Sequence, residues 1–262
     1  MLSKEKLKEL SRLKTKKGRN EKGKFLIEGL RLCETAADSL WPIESVLFTK
    51  SFEQKSRGKK LLKKLLKLNA DLIPLKSQAL AKLSDTVTAQ GIICVAKIKK
   101  YPVKDLGEKS LKVIVALDGI RDPGNVGTLR RTADAFGVSA VLLSDDTVEL
   151  YNPKVVRSSM GSIFHLPILD QVDLEKTILQ LKKRKFKVFG TDVKKGKSIN
   201  EVDTSGKICL LIGSEAEGLN RKLLKLSDEI IHIPTFGKAE SLNAAVAGGV
   251  LMYEVGKRRM LG

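Results

Sequence analysis

The chain has 262 residues, of which 49 are Lys or Arg against 30 Asp or Glu, a net charge of +19, with 42% hydrophobic and only 5% aromatic residues. That length holds one large or two small domains with a packed core, and no apolar run reaches the roughly 18–20 residues of a membrane span. The charge is uneven: residues 1–110 carry 26 Lys/Arg against 12 Asp/Glu, the remainder 23 against 18. The N-terminal part is thus an electrostatic footprint for an extended polyanion, with nucleic acid the natural partner, and the scarcity of aromatics argues against gripping single strands mainly by stacking.

The start, MLSKEKLKELSRLKTKKGRN, is basic but lacks the apolar core of a signal peptide, so a cytoplasmic location is expected, with an organellar address the alternative that an amphipathic basic start leaves open. Cys33, Cys94 and Cys209 are an odd, scattered set with apolar neighbours, which argues against a disulfide framework and for buried thiols. His165 and His232 share no ligand spacing with each other or with a cysteine, so no metal is expected.

In chain order, Leu7, Leu10 and Leu13 predict a short basic helix, and GRNEKGKF a basic loop. FLIEG (Phe25–Gly29) reads as a buried strand running into a helix over Leu30–Asp38, Ile43–Phe48 as a strand, and Lys55–Leu68 as an amphipathic helix with lysines opposite leucines. Ser77–Ser84 predicts a short helix and Gly91–Lys97 a strand. Together these make a small α/β domain over residues 1–98. Residues 99–111, polar with Pro and Gly, read as a linker.

Residues 112–262 alternate again. Strands are expected at Val113–Asp118, Ala140–Ser144, Phe186–Thr191, Ile208–Ile212 and Glu229–Ile233. Helices are expected at Asn125–Phe136, Leu174–Arg184 and Ser241–Val255. Such alternation implies a parallel sheet covered on both faces. The last helix has almost no charge between Ser241 and Tyr253, so burial is expected, with Ser241 and Asn243 at its mouth where such residues cap helix starts.

Three segments carry chemistry. In VALDGIRDPGNVGTLRRTADAFG a strand ends in a Pro/Gly turn and enters a helix, and functional residues of open α/β sheets gather at such strand ends. Arg131 lies six residues after Asn125 on a nearby face, whereas Arg130 points about 100° away. An arginine fork suits a phosphate, while a simple turn with solvated arginines is the plainer alternative. LLIGSEAEGLN is a strand followed by a glycine loop, and IPTFGKAESLN is a loop opening the last helix. Neither GxGxxG nor GxxxxGK[ST] occurs, so a dinucleotide or P-loop site has no motif support.

Taken together and in this order, these three motifs, with KVVRSSMGSIFHLPI between them, resemble the SpoU (TrmH-like) family of SPOUT RNA methyltransferases over roughly residues 112–257. The FLIEG segment is similar to that family's appended ribosomal-protein-like substrate-binding domain. The resemblance implies an α/β fold whose C-terminal parallel-sheet domain carries a deep trefoil knot, an exception to the rule that chains do not thread, and a smaller α/β RNA-binding domain before it. It implies transfer of a methyl group from S-adenosylmethionine to a ribose 2′-hydroxyl of RNA by a homodimer formed through the C-terminal domain.

Carried over by motif, Asn125, Arg131, Glu215, Ser241 and Asn243 form the catalytic polar set, and Gly213, Ile233 and Leu242 the cofactor positions. Arg131 is the essential arginine of that family, and a guanidinium that stays charged fits phosphate binding better than a literal base. Lys16, Lys17, Arg19, Lys22 and Lys24 are assigned to RNA backbone contacts, and Arg157 either to RNA or to an exposed loop. The two-domain layout resembles ribosomal RNA enzymes, with a transfer RNA methyltransferase or a non-catalytic RNA-binding or ribosome-assembly protein of the same fold as alternatives.

Overall fold

The computed structural model describes residues 3–107 and 112–261. In chain order it forms α1 (Lys4–Ser11), α2 (Lys16–Lys22), β1 (Lys24–Glu28), α3 (Leu30–Asp38), β2 (Ile43–Thr49), α4 (Lys50–Glu53), α5 (Ser56–Lys67), β3 (Asp71–Leu75), α6 (Ser77–Leu83) and β4 (Ile92–Lys97). There follow β5 (Val113–Leu117), α7 (Pro123–Ala135), β6 (Ala140–Ser144), α8 (Pro153–Ser158), β7 (Ile168–Val172), α9 (Leu174–Lys183) and β8 (Phe186–Thr191). The chain finishes with β9 (Lys197–Ser198), β10 (Lys207–Ile212), α10 (Arg221–Leu226), β11 (Glu229–His232) and α11 (Ala244–Leu261).

Two compact units result: residues up to Lys99 together with Tyr151–His165, and Lys100–Leu150 together with the chain from Leu166 onward. The boundaries therefore differ from those expected at 98 and 112. Tyr151–His165 lies inside the span assigned to the C-terminal domain, yet it packs into the N-terminal unit, where Tyr151 meets the ring of Phe25 and Phe164 that of Trp41. Aromatic burial of this kind outweighs chain continuity. The first half of the expected linker is not free either, because Leu106 is buried in the C-terminal core with Tyr101 and Val103 against it. Its end, residues 108–111, lies outside the described residues.

The N-terminal unit is built on a four-stranded sheet of order β1-β4-β2-β3, antiparallel except where β3 pairs with β2. Pro74 on β3 is tolerated because that strand is at the edge. The expected GRNEKGKF loop is instead the helix α2: the Thr15 hydroxyl accepts from the Gly18 N–H at 3.1 Å and Gly23 ends the helix in the left-handed region. Cys33 and Cys94 are buried in this unit and Cys209 in the other, all as free thiols, as expected.

In the C-terminal unit all seven strands run parallel in the order β7-β6-β5-β10-β8-β11-β9. The central strands β5, β6 and β10 are almost continuously buried, as a sheet covered on both faces requires. β11 is laid between β8 and β9, so the short connection from β8 to β9 must cross it. Gly196 makes that crossing possible: it has φ +91°, and a Cβ there would lie 2.1 Å from the Ile230 carbonyl oxygen. No helix among the described residues is long and apolar enough to cross a membrane.

α11 starts three residues later than expected and is not buried all round. Ala244, Ala245, Leu251, Met252 and Val255 face inward, while Val246, Val250 and Tyr253 are 53%, 36% and 47% exposed. These three share one apolar stripe with Phe136 at the end of α7, whose ring lies 5.5 Å from that of Tyr253.

Candidate active site

The site lies at the carboxyl ends of β5, β8, β10 and β11, where open parallel sheets bind ligands. The loop after β10, Gly213–Asn220, folds back on itself, with the Gly218 N–H donating to the Ser214 carbonyl at 2.9 Å. This closure requires glycine at 213, because a Cβ there would lie 2.2 Å from the Gly218 carbonyl carbon and 2.3 Å from the Leu219 nitrogen. The loop, the ends of β8 and β11 and the start of α11 enclose a cavity of about 450 Å³, within the range of small-molecule sites. Gly213, Ile233 and Leu242, the expected cofactor positions, all line it, as does Ser241.

At its rim three of the expected polar residues meet, although they are far apart in sequence. The Asn125 side-chain amide donates to the Glu215 carboxylate, and Asn243 Nδ2 reaches Asn125 Oδ1 at 3.1 Å and Glu215 Oε1 at 3.2 Å. Glu215 Oε1 also accepts from the Ala244 N–H at 3.1 Å, and Asn243 Oδ1 caps α11 through the Ala245 and Val246 N–H groups at 2.9 and 3.3 Å. Asn125 is held in turn by Asp122, the N-cap of α7, whose Oδ1 accepts from its backbone N–H at 2.9 Å. One carboxylate thus ties the glycine loop to the heads of α7 and α11.

Glu215→Gln keeps one oxygen but removes the charge that three donors share. Bonds to a charged group contribute about 1.5–3 kcal/mol when buried. For this exposed carboxylate the discounted value is about 1–2 kcal/mol, a roughly five- to thirtyfold loss of turnover. Steady-state kinetics of the variant check this.

Arg131 and Ser241 are not drawn into that network. Arg131 stands exposed on α7 and makes no hydrogen bond or ion pair among the described residues, whereas its neighbour Arg130 is 1% exposed and donates to the Leu166 carbonyl. The different directions expected for the two arginines are what the helix delivers.

The assignment of the N-terminal cations is corrected in part. Arg19 is 2% exposed, its guanidinium donates to the Leu13 carbonyl at 2.8 Å, and burial lowers its pKa to about 10, so it holds the N-terminal helices rather than RNA. Lys22 is taken by Glu9 at 2.8 Å and Lys24 by Glu44 at 2.5 Å. Lys16 and Lys17 remain exposed, Lys17 with a long 3.9 Å approach to Glu21. Arg157 lies on α8, not in a loop, and its Nη1 meets Asp85 Oδ2 at 2.5 Å inside the N-terminal unit.

Sequence reading missed Asp118 and Asp192. Asp192 lines the cavity, and the Lys194 and Lys195 N–H groups hold its carboxyl below the ordinary value. Asp118, just after β5, accepts from the Asn220 N–H at 2.9 Å and so pins the far end of the glycine loop. Burial, then the charges of Asp146, Asp145 and Glu217, raise its pKa, while the Asn220 bond works against the rise. Asp118 stands inside the first quoted motif, but its partner Asn220 is 102 residues away; Asp192 directly follows the expected strand Phe186–Thr191 and lies in none of the three motifs.

A carboxyl whose pKa is raised on folding binds its proton more tightly in the native state, so native stability falls as pH rises through that raised value. Asp118→Asn keeps an oxygen for Asn220 and removes the charge. It is expected to raise the melting temperature at pH 7.5, and the gain should vanish as pH drops below the ordinary carboxylate range. Melting curves across pH measure this.

The cavity suits S-adenosylmethionine on physical grounds. Its walls are apolar at Ile212, Leu219, Ile231 and Leu251, and Asp192, Glu215 and Glu217 outnumber Arg221 among the charged groups, which favours a cationic ligand. His232, also on the wall, has a buried Nδ1 with no hydrogen-bond partner among the described residues. No group of three or more His, Cys, Asp or Glu among the described residues could hold a metal ion.

A strand-end cavity with acidic side chains, rimmed by an Asn-Glu-Asn network and closed by a glycine loop, is the kind of site that holds a cationic group-transfer cofactor. Residues 112–253 match the model of the SpoU rRNA Methylase family, and residues 4–94 match that of the MRM3-like substrate binding domain. The chain belongs to the SpoU rRNA methylase family. It is 33% identical to the 23S rRNA (guanosine(2553)-2′-O)-methyltransferase RlmP of Bacillus subtilis (strain 168), over 96% of each chain. It is 34% identical to the 23S rRNA (guanosine-2′-O-)-methyltransferase RlmB of Bordetella pertussis, over 71% of this chain and 78% of that one. Among solved structures it resembles the SpoU methyltransferase AviRb from Streptomyces viridochromogenes in complex with AdoMet, with a TM-score of 0.90 and 26% identity, covering 99% of this chain and 100% of that one.

Proposed function

We propose that this protein is an S-adenosylmethionine-dependent methyltransferase that modifies a ribose 2′-hydroxyl in RNA, with ribosomal RNA as its substrate. The observation that carries the reading is the cavity between the glycine loop and α11 with the Asn125-Glu215-Asn243 network at its rim. Gly213, Ile233 and Leu242 hold the cofactor, largely through backbone groups. When bound, S-adenosylmethionine supplies a methyl group made electrophilic by its sulfonium.

The chain's own residues then have three tasks. Asn125 and Asn243, fixed by Glu215, offer amide groups that orient the ribose hydroxyl, and Ser241 at the cavity wall adds a hydroxyl; fixed orientation of the nucleophile lowers the barrier to its attack. Arg131, free and exposed, binds the phosphate beside the target ribose. Guanidinium holds its own protons, so the proton leaving the hydroxyl passes to that phosphate or to a water. The cation also stabilises the alkoxide as it develops.

The apolar stripe of Phe136, Val246, Val250 and Tyr253 adjoins Asn125 and Asn243 on a shallow surface. It supports a homodimer through the C-terminal unit, in which Arg131 of one protomer meets the site of its partner. The passage of β11 beneath the β8–β9 connection supports a trefoil knot, and a ribosomal RNA substrate a cytoplasmic location.

Methyl transfer from labelled S-adenosylmethionine into unmodified large-subunit ribosomal RNA and bulk transfer RNA tests the reading. Label in ribosomal RNA is expected. Label in transfer RNA alone would move the substrate to transfer RNA, and no label in either, with the cofactor bound, would favour a non-catalytic RNA-binding protein.

A further inference from the structure

The +14 excess of the first 110 residues is not spent on the cluster around Lys16–Lys24, four of whose five cations are buried or paired. α5 offers a different surface. Its Gly58, Leu61, Leu62 and Leu65 are buried within the N-terminal unit. At about 100° per residue, Arg57 and Lys64 fall together on one flank. There α3 supplies carboxylates: Glu34 takes Arg57 at 2.5 and 2.7 Å, and Asp38 takes Lys64.

The opposite flank is different. Lys59, Lys63 and Lys67 follow one another at i, i+4 and i+8 with Lys60 beside them, all exposed, and none has an ion pair among the described residues. Leu66, on the edge of the same face, is 58% exposed. No acidic residue occurs anywhere in α5, so this face is a row of like charges with no internal compensation. Like charges at i, i+4 weaken an isolated helix, so the row is maintained against a local cost. A partner with a matching row of negative charge removes that cost.

We infer that the Lys59-Lys60-Lys63-Lys67 face of α5 is the surface through which the N-terminal unit holds the phosphate backbone of its RNA substrate. This rests on the RNA-methyltransferase reading above and names the contact surface. Successive lysines rise about 6 Å along the helix axis, so they meet a line of successive phosphates rather than one isolated anion. The flexible ammonium stems bind as point charges and carry no base preference. The face therefore supplies affinity and register, and sequence choice lies elsewhere.

The test is direct RNA binding by the full chain, using an unmodified large-subunit ribosomal RNA fragment, as a function of salt. The triple variant Lys59→Gln/Lys63→Gln/Lys67→Gln is compared with Lys183→Gln/Lys185→Gln/Lys225→Gln, which removes the same charge from exposed lysines of the C-terminal unit. Each phosphate contact contributes about 0.7–0.9 to the slope of log K against log salt. The α5 variant should lose about 2–3 from that slope and at least about tenfold in RNA affinity at physiological salt. Its melting temperature and its affinity for S-adenosylmethionine should match the parent, and the control variant should change far less.

An α5 variant that binds RNA like the parent, or one that loses no more than the control, overturns the assignment. Single lysine variants serve the same comparison if the triple variant melts early. Binding is read without turnover, so a protein that binds through α5 but transfers no methyl group contradicts the function proposed above and leaves this surface standing.

Discussion

Replacing Arg131 with alanine should reduce methyl transfer by on the order of 10²–10³-fold, the usual cost of removing a group aimed at developing negative charge, while affinity for S-adenosylmethionine stays within about twofold of the parent. The reason is geometric. Arg131 is exposed on α7 and is not among the residues that line the cavity, so the cofactor loses no contact. It has no partner within the described residues whose loss would unsettle the fold. Under the proposed function, this guanidinium, kept free on the helix that also carries Asn125, has its work on the RNA. Arg131→Lys should recover part of the rate, because a point charge still meets a phosphate, though without the bidentate fork. Single-turnover rates with saturating RNA, beside cofactor titration by calorimetry, measure both. Near-parental turnover in Arg131→Ala would remove it from the site. Equal loss at Arg130→Ala would not be informative about chemistry, because that side chain is buried.

The second large effect is expected at Gly213. Alanine there places a methyl group 2.2–2.3 Å from the backbone of Gly218 and Leu219, and backbone cannot swing aside as a side-chain tip can. The loop must open, moving the cavity wall and Glu215 together. Overpacking of this kind costs about 1–3 kcal/mol. Expressed through the loop it weakens cofactor binding roughly tenfold to hundredfold. The strand below the loop is buried in the central sheet and should hold, so the melting temperature should fall little. Cofactor affinity lost in step with global stability would show instead that Gly213 is only a folding residue. Unchanged affinity would mean that the loop does not wall the cofactor site.

Much of this site is legible before folding because it is local. A buried strand followed by a glycine turn and a helix start recurs at Asp118–Asn125 and at Ile212–Asn220, and α/β sheets place such turns on one edge. The loop-to-helix junction at Ser241–Asn243 signals the third wall. Its start shifts to Ala244 because Asn243 spends its side chain as the cap.

What was illegible depends on remote partners. Arg19 reads as an RNA contact because arginines are mostly exposed, yet the Leu13 carbonyl and the packing of α1 and α2 bury it. Arg157 reads either as an RNA contact or as an exposed loop cation, although Asp85, 72 residues away, claims it. The membership of Tyr151–His165 in the N-terminal unit follows from aromatic packing that no local pattern announces. The lysine face of α5 was visible as amphipathic, but which lysines lacked partners depended on where Glu34 and Asp38 of α3 came to lie. The exposed stripe on α11 reads as buried because its sequence is uniformly small and apolar, and an apolar face left open in one chain looks the same as one covered by its own core.

The central claim is that the chemistry falls on a ribose hydroxyl, and the position of the transferred methyl group tests it most directly. Ribosomal RNA labelled from S-adenosylmethionine is digested with alkali, which needs a free 2′-hydroxyl to cleave. The account predicts label in alkali-resistant dinucleotides, and its loss in Arg131→Ala. Label recovered in ordinary mononucleotides would put the methyl group on a base and contradict the account.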